Sequence, residues 1–485
     1  MEISKYLILL MMVIYTFECF SVFGYHDAYT KMWILRRQSI WIFMIHFLAF
    51  LTLFLRMQEA RILVFYVIQV ALLGSIILLY GFLYPKVSRL VVNNMCMLLA
   101  VGFIMLTRLS YNNAVKQVII VAASGVISLF VPVIIRKARF LSRLKLVYAV
   151  VGVAALAAVI VVGRVSNGAM LGFEVAGISV QPSELVKIVF VFFVASSLYR
   201  AKDFRNVVIT TIVAALHVLI LVASTDLGAA LIVFVVYLVM LYVATRQPLY
   251  IAAGVGAGSV ASVAAYFLFS HVRTRVTVWR DPFAVYNEGG YQVAQSLFAI
   301  GTGGWFGLGL CQGLPDKIPV VTTDFIFSAI AEELGAVFAI CIILICVSCY
   351  IMFLNIAMQL RDSFYKLVAL GLGTCYIFQV FLAIGGVIKF IPSTGVTLPL
   401  VSYGGSSLLS TMIMFAIIQG LYILREDEDE DIERQRERQL RAKRRRQAQQ
   451  TGRPRSNGTR PSAGAPSGDR RRNSKNRNSQ RVRRP

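Results

Sequence analysis

The chain has 485 residues, of which 58% are hydrophobic and only 15% are charged, and its mean hydropathy is +0.72. A soluble protein of this length needs more charge to cover its surface, so the composition excludes a soluble enzyme, a disordered scaffold and a disulfide-stapled secreted domain. The net charge of +24 is concentrated in one tail, because the segment from Arg438 to Pro485 carries seventeen Lys or Arg residues against one acid, Asp469. The composition therefore predicts an all-α polytopic membrane protein with a basic tail, and no nucleic-acid partner.

Apolar segments of about 20 residues are long enough to cross a bilayer as helices. About thirteen such runs lie near residues 6–26, 39–55, 62–84, 93–109, 114–135, 144–163, 182–199, 206–223, 226–244, 248–270, 325–354, 364–386 and 404–424. We therefore expect extra N-terminal transmembrane spans in residues 1–92, a membrane core in 93–424 and a disordered basic cytoplasmic tail in 425–485.

The basic residues between the runs predict the orientation of the chain. Five of them fill the connection after the fifth run: Arg136, Lys137, Arg139, Arg143 and Lys145. Short loops rich in Lys and Arg favour the cytoplasmic side. Alternation from this loop predicts an N-terminus outside the cell and a cytoplasmic C-terminus.

Two connections are longer than the others, and both are expected on the outer side. Residues 164–181 are glycine-rich and amphipathic, and residues 271–324 form much the longest segment between spans. The latter contains YQVAQSLFAIGTGGWFGLGL, which is too polar and glycine-broken to span but suits a helix at the outer interface. Long loops on a membrane scaffold often carry function, so we expect the functional site near 271–324.

Charged residues in or beside apolar spans are costly and therefore informative. Glu184 and Lys187 lie three residues apart, hence on one face of a predicted helix, either as a structural ion pair or as functional groups. Asp226 begins another span, either as the N-cap of that helix or as part of a polar cavity.

Asp324 stands at the outer end of the eleventh run, with Glu332 and Glu333 two to three turns further in. An N-cap explains Asp324 alone, but three carboxylates in one outer half-span are expensive. Further along, KFIPSTGVTLPLVSYGGSS places prolines, glycines and hydroxyls between two spans. Such irregular backbone occurs at membrane depth only where it lines a cavity or is buried in protein.

These features together predict an outward-facing polar cavity. It would combine carboxylates for proton transfer, arginines and a lysine for phosphate, and an apolar flank for a lipid chain. That combination fits an enzyme or a transporter that handles a lipid pyrophosphate on the outer leaflet.

Five motifs in this region resemble one family. They are QPSELVK, DLGAAL, GYQVAQSLFAIGTGGWFGLGL, TDFIFSAIAEELG and IPSTGVTLPLVSYGGSS. Their order and approximate spacing are similar to those of the SEDS family (shape, elongation, division and sporulation), the RodA/FtsW/SpoVE-like peptidoglycan glycosyltransferases. The resemblance covers about residues 93–424 and implies a ten-span core, from which the three earlier spans depart. The stretch GGVIKFIPSTG looks like the extended Gram-positive-type branch of that family.

The resemblance implies polymerisation of lipid II into glycan strands at the outer face of the bacterial cytoplasmic membrane, during cell elongation, division or sporulation. Asp324 matches the acid of the family and is expected to act as general base. The residues expected to bind substrate are Glu184, Lys187, Asp226, Arg273, Arg275, Arg280, Ser393, Thr394 and Ser402. The sequence fixes no metal ligands, and a divalent cation, Mg²⁺ or Mn²⁺, bridging pyrophosphate and carboxylate stays open.

Two other functions compete with the glycosyltransferase. One is a flippase that transports lipid II through the same cavity, and the other is a non-enzymatic scaffold of the cell-wall synthesis complex. The family also implies a partner, a class B penicillin-binding protein with transpeptidase activity. A flippase would translocate lipid II without polymer, and a scaffold would keep its function without Asp324.

Overall fold

The computed structural model describes residues 2–162, 164–166, 169–175, 178–200 and 203–451. The chain divides into two units, Met1–Asp429 and Glu430–Pro485. Apart from three short strands and a few 3₁₀ turns, the regular structure of the described residues is α-helical. The all-α fold class is thereby confirmed.

Three helices precede the predicted core: α1 (Glu2–Gly24), α2 (Ala28–Met57) and α3 (Ala60–Leu83). Seven follow up to the long connection: α4 (Arg89–Leu109), α5 (Tyr111–Lys137), α6 (Lys145–Val162), α7 (Pro182–Leu198), α8 (Phe204–Ala223), α9 (Leu227–Thr245) and α10 (Pro248–Leu268). The remaining ones are α11 (Ser270–Arg280), α12 (Tyr291–Gly303), α13 (Ile326–Leu334), α14 (Ala336–Gln359), α15 (Ser363–Val387) and α16 (Gly405–Thr451).

Eleven of the described helices are long and apolar enough to cross a membrane: α1–α5, α8–α10 and α14–α16. The predicted runs 144–163 and 182–199 are also helical, as α6 and α7, but these two helices are shorter, with 18 and 17 residues. The chain is therefore a multi-pass membrane protein, with ten helices in the core region at the predicted spans.

The first predicted domain boundary, between residues 92 and 93, falls inside α4, which begins at Arg89. Asn93 and Asn94 interrupt the apolar pattern of the sequence, but both are buried within the helix. Their side chains are used there, since Asn94 accepts from the Tyr15 hydroxyl (2.9 Å) and Asn93 donates to the Leu35 carbonyl (2.8 Å). Asn94 also donates to Ser348 of α14 (3.3 Å). These contacts join the extra N-terminal helices to the core.

The eleventh predicted run, 325–354, is two helices rather than one. α13 ends at Leu334 and α14 begins at Ala336, with Gly335 between them at φ +92°. The carbonyls of Glu332 and Glu333 accept the amides of Leu308 (2.9 Å) and Gly309 (2.8 Å) instead of continuing the helix. The two glutamates therefore belong to a separate short helix that precedes α14, and not to the same helix as the spanning segment.

Residues 164–180 contain three antiparallel strands, in the order β1 (Arg164–Ser166), β2 (Ala169–Val175) and β3 (Ile178–Val180). β1 pairs with β2 through Ser166 opposite Ala169, and β2 pairs with β3 through Val175 opposite Ile178. The sequence between β1 and β2 is Asn-Gly, the strongest short-range signal for a hairpin.

The predicted disorder of residues 425–485 is wrong for the first part of the tail, because α16 continues to Thr451. The sequence here is rich in Glu, Arg and Gln, which are good helix formers. Glu–Arg pairs four residues apart support the helix, with Glu430–Arg434 at 3.2 Å and Glu437–Arg441 at 3.6 Å. Residues 452–485, also predicted to be disordered, lie outside the described residues.

The ion pair between Glu333 and Arg108 fixes α13 against α4. The Glu333 side chain is fully buried, and its Oε1 lies 3.1 Å from Nε of Arg108. We expect Glu333→Ala to lower the free energy of unfolding by about 3 kcal/mol, because it removes the buried partner of the arginine. Thermal unfolding of the purified protein in detergent measures this change. Asp316→Ala is the matched control: it removes an exposed partner of the same arginine (3.4 Å), so a loss equal to that of Glu333→Ala would contradict the account.

Candidate functional site

A cleft of about 300 Å³ lies between α11, α12, the turn before α13 and the loop after α15. We call residues 320–325 the Asp324 turn and residues 388–404 the α15–α16 loop. The polar and charged side chains of the lining include Thr274, Arg275, Trp279, Gln292, Asp324 and Lys389. The long connection thus carries most of the site, as the sequence predicts.

Asp324 is half-buried in the lining of this cleft. The N-cap of α13 is Phe325, so the alternative interpretation of Asp324 as an N-cap is wrong. Burial raises the pKa of the Asp324 carboxyl above its ordinary value, while the Thr323 hydroxyl and the positive charge of Arg275 act to lower it. Asp324 is therefore a carboxylate of increased basicity that faces an open space.

Arg275 of α11 lies beside Asp324 and is half-buried. Its Nη1 donates to the Ser393 carbonyl at 3.0 Å, which fixes the guanidinium against the α15–α16 loop. Gly395 has φ +71°, and a Cβ built there would lie 3.5 Å from Oδ2 of Asp324 and 3.9 Å from Nη2 of Arg275. A glycine at this position therefore keeps the space between the carboxylate and the guanidinium open.

Lys389 contributes a second cation to the cleft, and the sequence analysis did not single it out. Its backbone has φ +60°, a left-handed conformation that is unusual for a side-chain-bearing residue. Trp279 Nε1 donates to its carbonyl at 3.2 Å and so holds this conformation. The sequence feature that could have identified this residue is its position, because Lys389 is the lone cation of the segment KFIPSTG.

Glu184 and Lys187 form an ion pair, which was one of the two interpretations of the sequence. Nζ of Lys187 lies 2.8 Å from Oε2 of Glu184. Lys187 is only 2% exposed and also donates to Gln379 of α15 at 2.8 Å, while Ser410 of α16 donates to Glu184 at 3.2 Å. Neither residue is among the described lining of the cleft. The pair instead connects α7, α15 and α16, and Gln379 is a member that the sequence analysis missed.

Asp226 is the N-cap of α9, as one interpretation had it, since its Oδ1 accepts from the Ala229 amide at 3.1 Å. Its Oδ2 accepts from Gln181 Nε2 (2.9 Å) and from Ser183 Oγ (2.8 Å). Arg275 is close enough to interact with Asp226 electrostatically. Asp226 thus lies near the cleft, but both carboxylate oxygens have partners within the protein.

The other predicted substrate-binding residues are dispersed. Arg273 and Arg280 are exposed and do not belong to the described lining of the cleft, whereas Ser393 does. Thr394 Oγ1 is buried and has no hydrogen-bond partner among the described residues. Ser402 is 4% exposed and contacts the Asp324 turn rather than the cleft.

A metal site made only of protein ligands does not fit the described residues. No group of three or more His, Cys, Asp or Glu side chains in that part of the chain is placed to hold an ion. Asp324 supplies one carboxylate in the cleft, so an ion bound there would need oxygen ligands from a substrate.

Comparison with known proteins relates this chain to a family. A family model matches residues 86–426 of the chain. The family is described as cell cycle protein, and its model is named for FtsW, RodA and SpoVE. The peptidoglycan glycosyltransferase RodA of Mycobacterium tuberculosis is 38% identical over 271 residues, which are 52% of this chain and 57% of that protein. The probable peptidoglycan glycosyltransferase FtsW of Tolumonas auensis is 33% identical over 272 residues, 54% of this chain and 71% of that protein. The chain thus spans little more than half the length of the RodA relatives.

Two solved structures share the fold. A chain from a peptidoglycan synthase complex that coordinates polymerization and crosslinking superposes with a TM-score of 0.60 at 24% identity, covering 70% of this chain and 98% of that one. The rod shape determining protein RodA of Thermus thermophilus superposes with a TM-score of 0.53 at 23% identity, with the same coverage. Both neighbours therefore support the helical architecture.

The environment of Asp324 predicts its titration. An ordinary aspartate has a pKa of about 3.9, and we expect Asp324 to titrate above that value because burial disfavours the charged form. Arg275→Gln should raise the pKa further, since the guanidinium stabilises the carboxylate. Infrared titration of the reconstituted protein measures this, with the band assigned by its loss in Asp324→Asn. Arg273→Gln, an exposed arginine on the same helix, should leave the midpoint unchanged; a fall of the pKa in Arg275→Gln would refute the electrostatic account.

Proposed function

We propose that this chain, which belongs to the FtsW, RodA and SpoVE family of cell cycle proteins, is a peptidoglycan glycosyltransferase that polymerises lipid II at the outer face of the cytoplasmic membrane. The observation that carries the proposal is the cleft that combines one carboxylate, Asp324, with two cations, Arg275 and Lys389. A carboxylate suits proton abstraction from a hydroxyl, and the cations suit a pyrophosphate.

In the proposed reaction Asp324 is the general base. It accepts the proton of a GlcNAc 4-hydroxyl while the oxygen of that hydroxyl forms a bond to the anomeric carbon of a lipid-linked MurNAc. The bond from that carbon to the pyrophosphate breaks, and its electron pair leaves with undecaprenyl pyrophosphate. The α-linked donor gives a β-linked product, so the step is inverting and needs no covalent intermediate. The raised pKa of Asp324 makes it a stronger base than an ordinary aspartate.

Arg275 and Lys389 are proposed to bind the pyrophosphate. As the leaving group gains negative charge, cations fixed before the reaction stabilise it without reorganisation. The Arg275 guanidinium is fixed by its hydrogen bond to Ser393, and the bond from Trp279 fixes the backbone carbonyl from which the Lys389 side chain extends. Ile388 and Phe390, on either side of Lys389, are exposed apolar residues. They offer the lipid chain of the substrate an apolar surface next to the phosphate-binding cations.

If a divalent cation, Mg²⁺ or Mn²⁺, takes part, Asp324 is the carboxylate of the described cleft lining that would hold it, together with the substrate pyrophosphate. Such ions are commonly held by one or two carboxylates together with substrate phosphates. When bound, the ion would add positive charge at the leaving group. The protein groups proposed to act on the substrate are the same with or without it.

The flippase alternative is less well supported by the packing. A transporter needs a polar path between the membrane helices, and the candidates for such a path are Glu184, Lys187 and Gln379. These side chains are buried and hydrogen-bonded to one another and to α16. The charged groups that face an open cleft are Arg275 and Asp324 of the long outer connection and Lys389 of the α15–α16 loop, where a polymerase would hold its two substrates.

The proposed partner is a class B penicillin-binding protein, which would crosslink the glycan strands that this chain polymerises. The structure of the peptidoglycan synthase complex is described, for that complex, as coordinating polymerization and crosslinking. Polymerisation and crosslinking would then take place at the same place on the membrane. The proposed process is wall synthesis in cell elongation, division or sporulation.

Asp324→Asn tests the catalytic role most sharply. It preserves size and hydrogen bonding but removes proton acceptance, so the rate of lipid II polymerisation should fall by at least about 10²-fold. Binding of lipid II should change little, because the pyrophosphate and lipid contacts remain. The rate is measured with purified protein in lipid vesicles and fluorescent lipid II.

The matched control is Asp281→Asn, an exposed acid of the same outer connection that caps a local turn. It should polymerise at nearly the wild-type rate. If folded Asp324→Asn did so as well, Asp324 would not be the base, and the flippase or scaffold interpretation would replace the proposal.

The proposed orientation places the N-terminus outside the cell and the C-terminus in the cytoplasm. A cysteine at Asn287, exposed in the long connection, should react with an impermeant thiol reagent in whole cells. A cysteine at Ser363, exposed at the start of α15, should react only after lysis. The parent protein is the background control, because six of its cysteines are buried and Cys311 is half-buried. Labelling at Ser363 in intact cells would reverse the proposed topology.

A further inference from the structure

We propose that Ser402 is a positioning residue for Asp324, and not a substrate contact as the family resemblance implies. The inference rests on the proposed function, since it gives Ser402 a role in the same reaction. Its basis is a set of hydrogen bonds that joins the α15–α16 loop to the Asp324 turn.

The Ser402 hydroxyl makes two hydrogen bonds at once. Its Oγ donates to the carbonyl of Thr323 at 2.5 Å and accepts from the amide of Leu398 at 3.0 Å. The first bond fixes the peptide group that directly precedes Asp324. The second fixes the serine within its own loop, so the hydroxyl cannot turn away without leaving a buried amide unpaired.

The next residue repeats the connection through the backbone. The Tyr403 amide donates to the Thr322 carbonyl at 2.8 Å. Two consecutive carbonyls of the Asp324 turn are therefore held by two consecutive residues of the α15–α16 loop. Within the turn, the Asp324 amide donates to the Val320 carbonyl at 3.2 Å. Together these bonds determine the direction in which the Asp324 side chain leaves the backbone.

The loop segment that supplies these bonds is itself fixed against α4 and α5. Gln117 Nε2 of α5 donates to the Ser402 carbonyl at 3.1 Å. A Cβ at Gly102 of α4 would lie 2.7 Å from the Val401 carbonyl, which shows how closely the backbone approaches that helix. Leu400 has φ +66°, a strained conformation that persists only where the surroundings hold it. The partner of the Asp324 turn is thus a rigid one.

A direct contact of Ser402 with substrate does not fit its surroundings. The residue is 4% exposed, and it is not part of the described lining of the cleft. Its hydroxyl proton is donated to Thr323, and a lone pair accepts from Leu398. What Ser402 affects is the placement of a base that must lie within hydrogen-bond reach of a sugar hydroxyl. A misplacement of about 1 Å at such a group costs up to about 10²-fold in rate.

The test compares Ser402→Ala with Ser402→Thr in the full-length protein, reconstituted in vesicles with fluorescent lipid II. Ser402→Ala should lower kcat by about 10- to 100-fold and leave KM nearly unchanged, because the substrate contacts remain. Ser402→Thr keeps the hydroxyl and should recover most of the lost kcat. Ser262→Ala is the matched control: this serine is exposed on α10, bonds only to its own helix and should leave both constants unchanged.

Each other outcome has a distinct meaning. A rise of KM at constant kcat in Ser402→Ala would show a substrate contact and overturn the proposal. An unchanged kcat in Ser402→Ala, or a failure of Ser402→Thr to restore kcat, would also overturn it. If Ser402→Ala does not fold, the variant Gln117→Leu tests the proposal instead, because it removes only the hydrogen bond to the Ser402 carbonyl. This variant should also lower kcat. An unchanged kcat would overturn the proposal. Absence of polymer with the wild-type protein would instead refute the proposed function.

Discussion

The structure around the cleft depends on how one irregular backbone segment, the α15–α16 loop, satisfies its hydrogen bonds between transmembrane helices. Unpaired polar groups are expensive there, so a non-helical segment persists only if neighbouring residues bond to it. Gln379 of α15 donates to the Thr397 carbonyl at 3.3 Å, and Ser407 of α16 contacts the Thr397 hydroxyl at 2.8 Å. Lys187 in turn holds Gln379. The buried ion pair of α7 is therefore connected through Gln379 to the loop that lines the cleft, although neither charged residue is among the described lining.

The same loop arranges the charges of the cleft. It presents Lys389 on one side, receives Arg275 at the Ser393 carbonyl, and leaves room for Asp324 at Gly395. Burial makes the carboxylate more basic, whereas Arg275 favours its ionised form. These opposing effects suit a group that must be ionised before it accepts a proton. The groups of the cleft come from three separate parts of the chain: α11, the Asp324 turn and the α15–α16 loop. The geometry of the site therefore depends on the contacts that hold these three segments together.

The sequence predicted the helices of the membrane bundle well, because long apolar runs leave few alternatives to a helix in a bilayer. It also predicted Asp324, since charges beside apolar spans are rare and costly. Arg275 was predicted only together with Arg273 and Arg280, which do not belong to the described lining of the cleft. It did not predict the break at Gly335, which depends on amides from the distant residues Leu308 and Gly309. Nor could it distinguish a hydroxyl that contacts substrate from one, like that of Ser402, that bonds to a backbone carbonyl 79 residues away. Such roles are determined by tertiary hydrogen bonds that leave no periodic pattern in the sequence.

The most direct test of the account is the product that the purified wild-type protein forms from lipid II in vesicles. Glycan polymer and free undecaprenyl pyrophosphate should accumulate together, one lipid pyrophosphate for each new glycosidic bond, because bond formation and leaving-group departure belong to one step. Movement of labelled lipid II between the leaflets, with neither polymer nor free undecaprenyl pyrophosphate, would contradict the account and identify the cleft as part of a transporter.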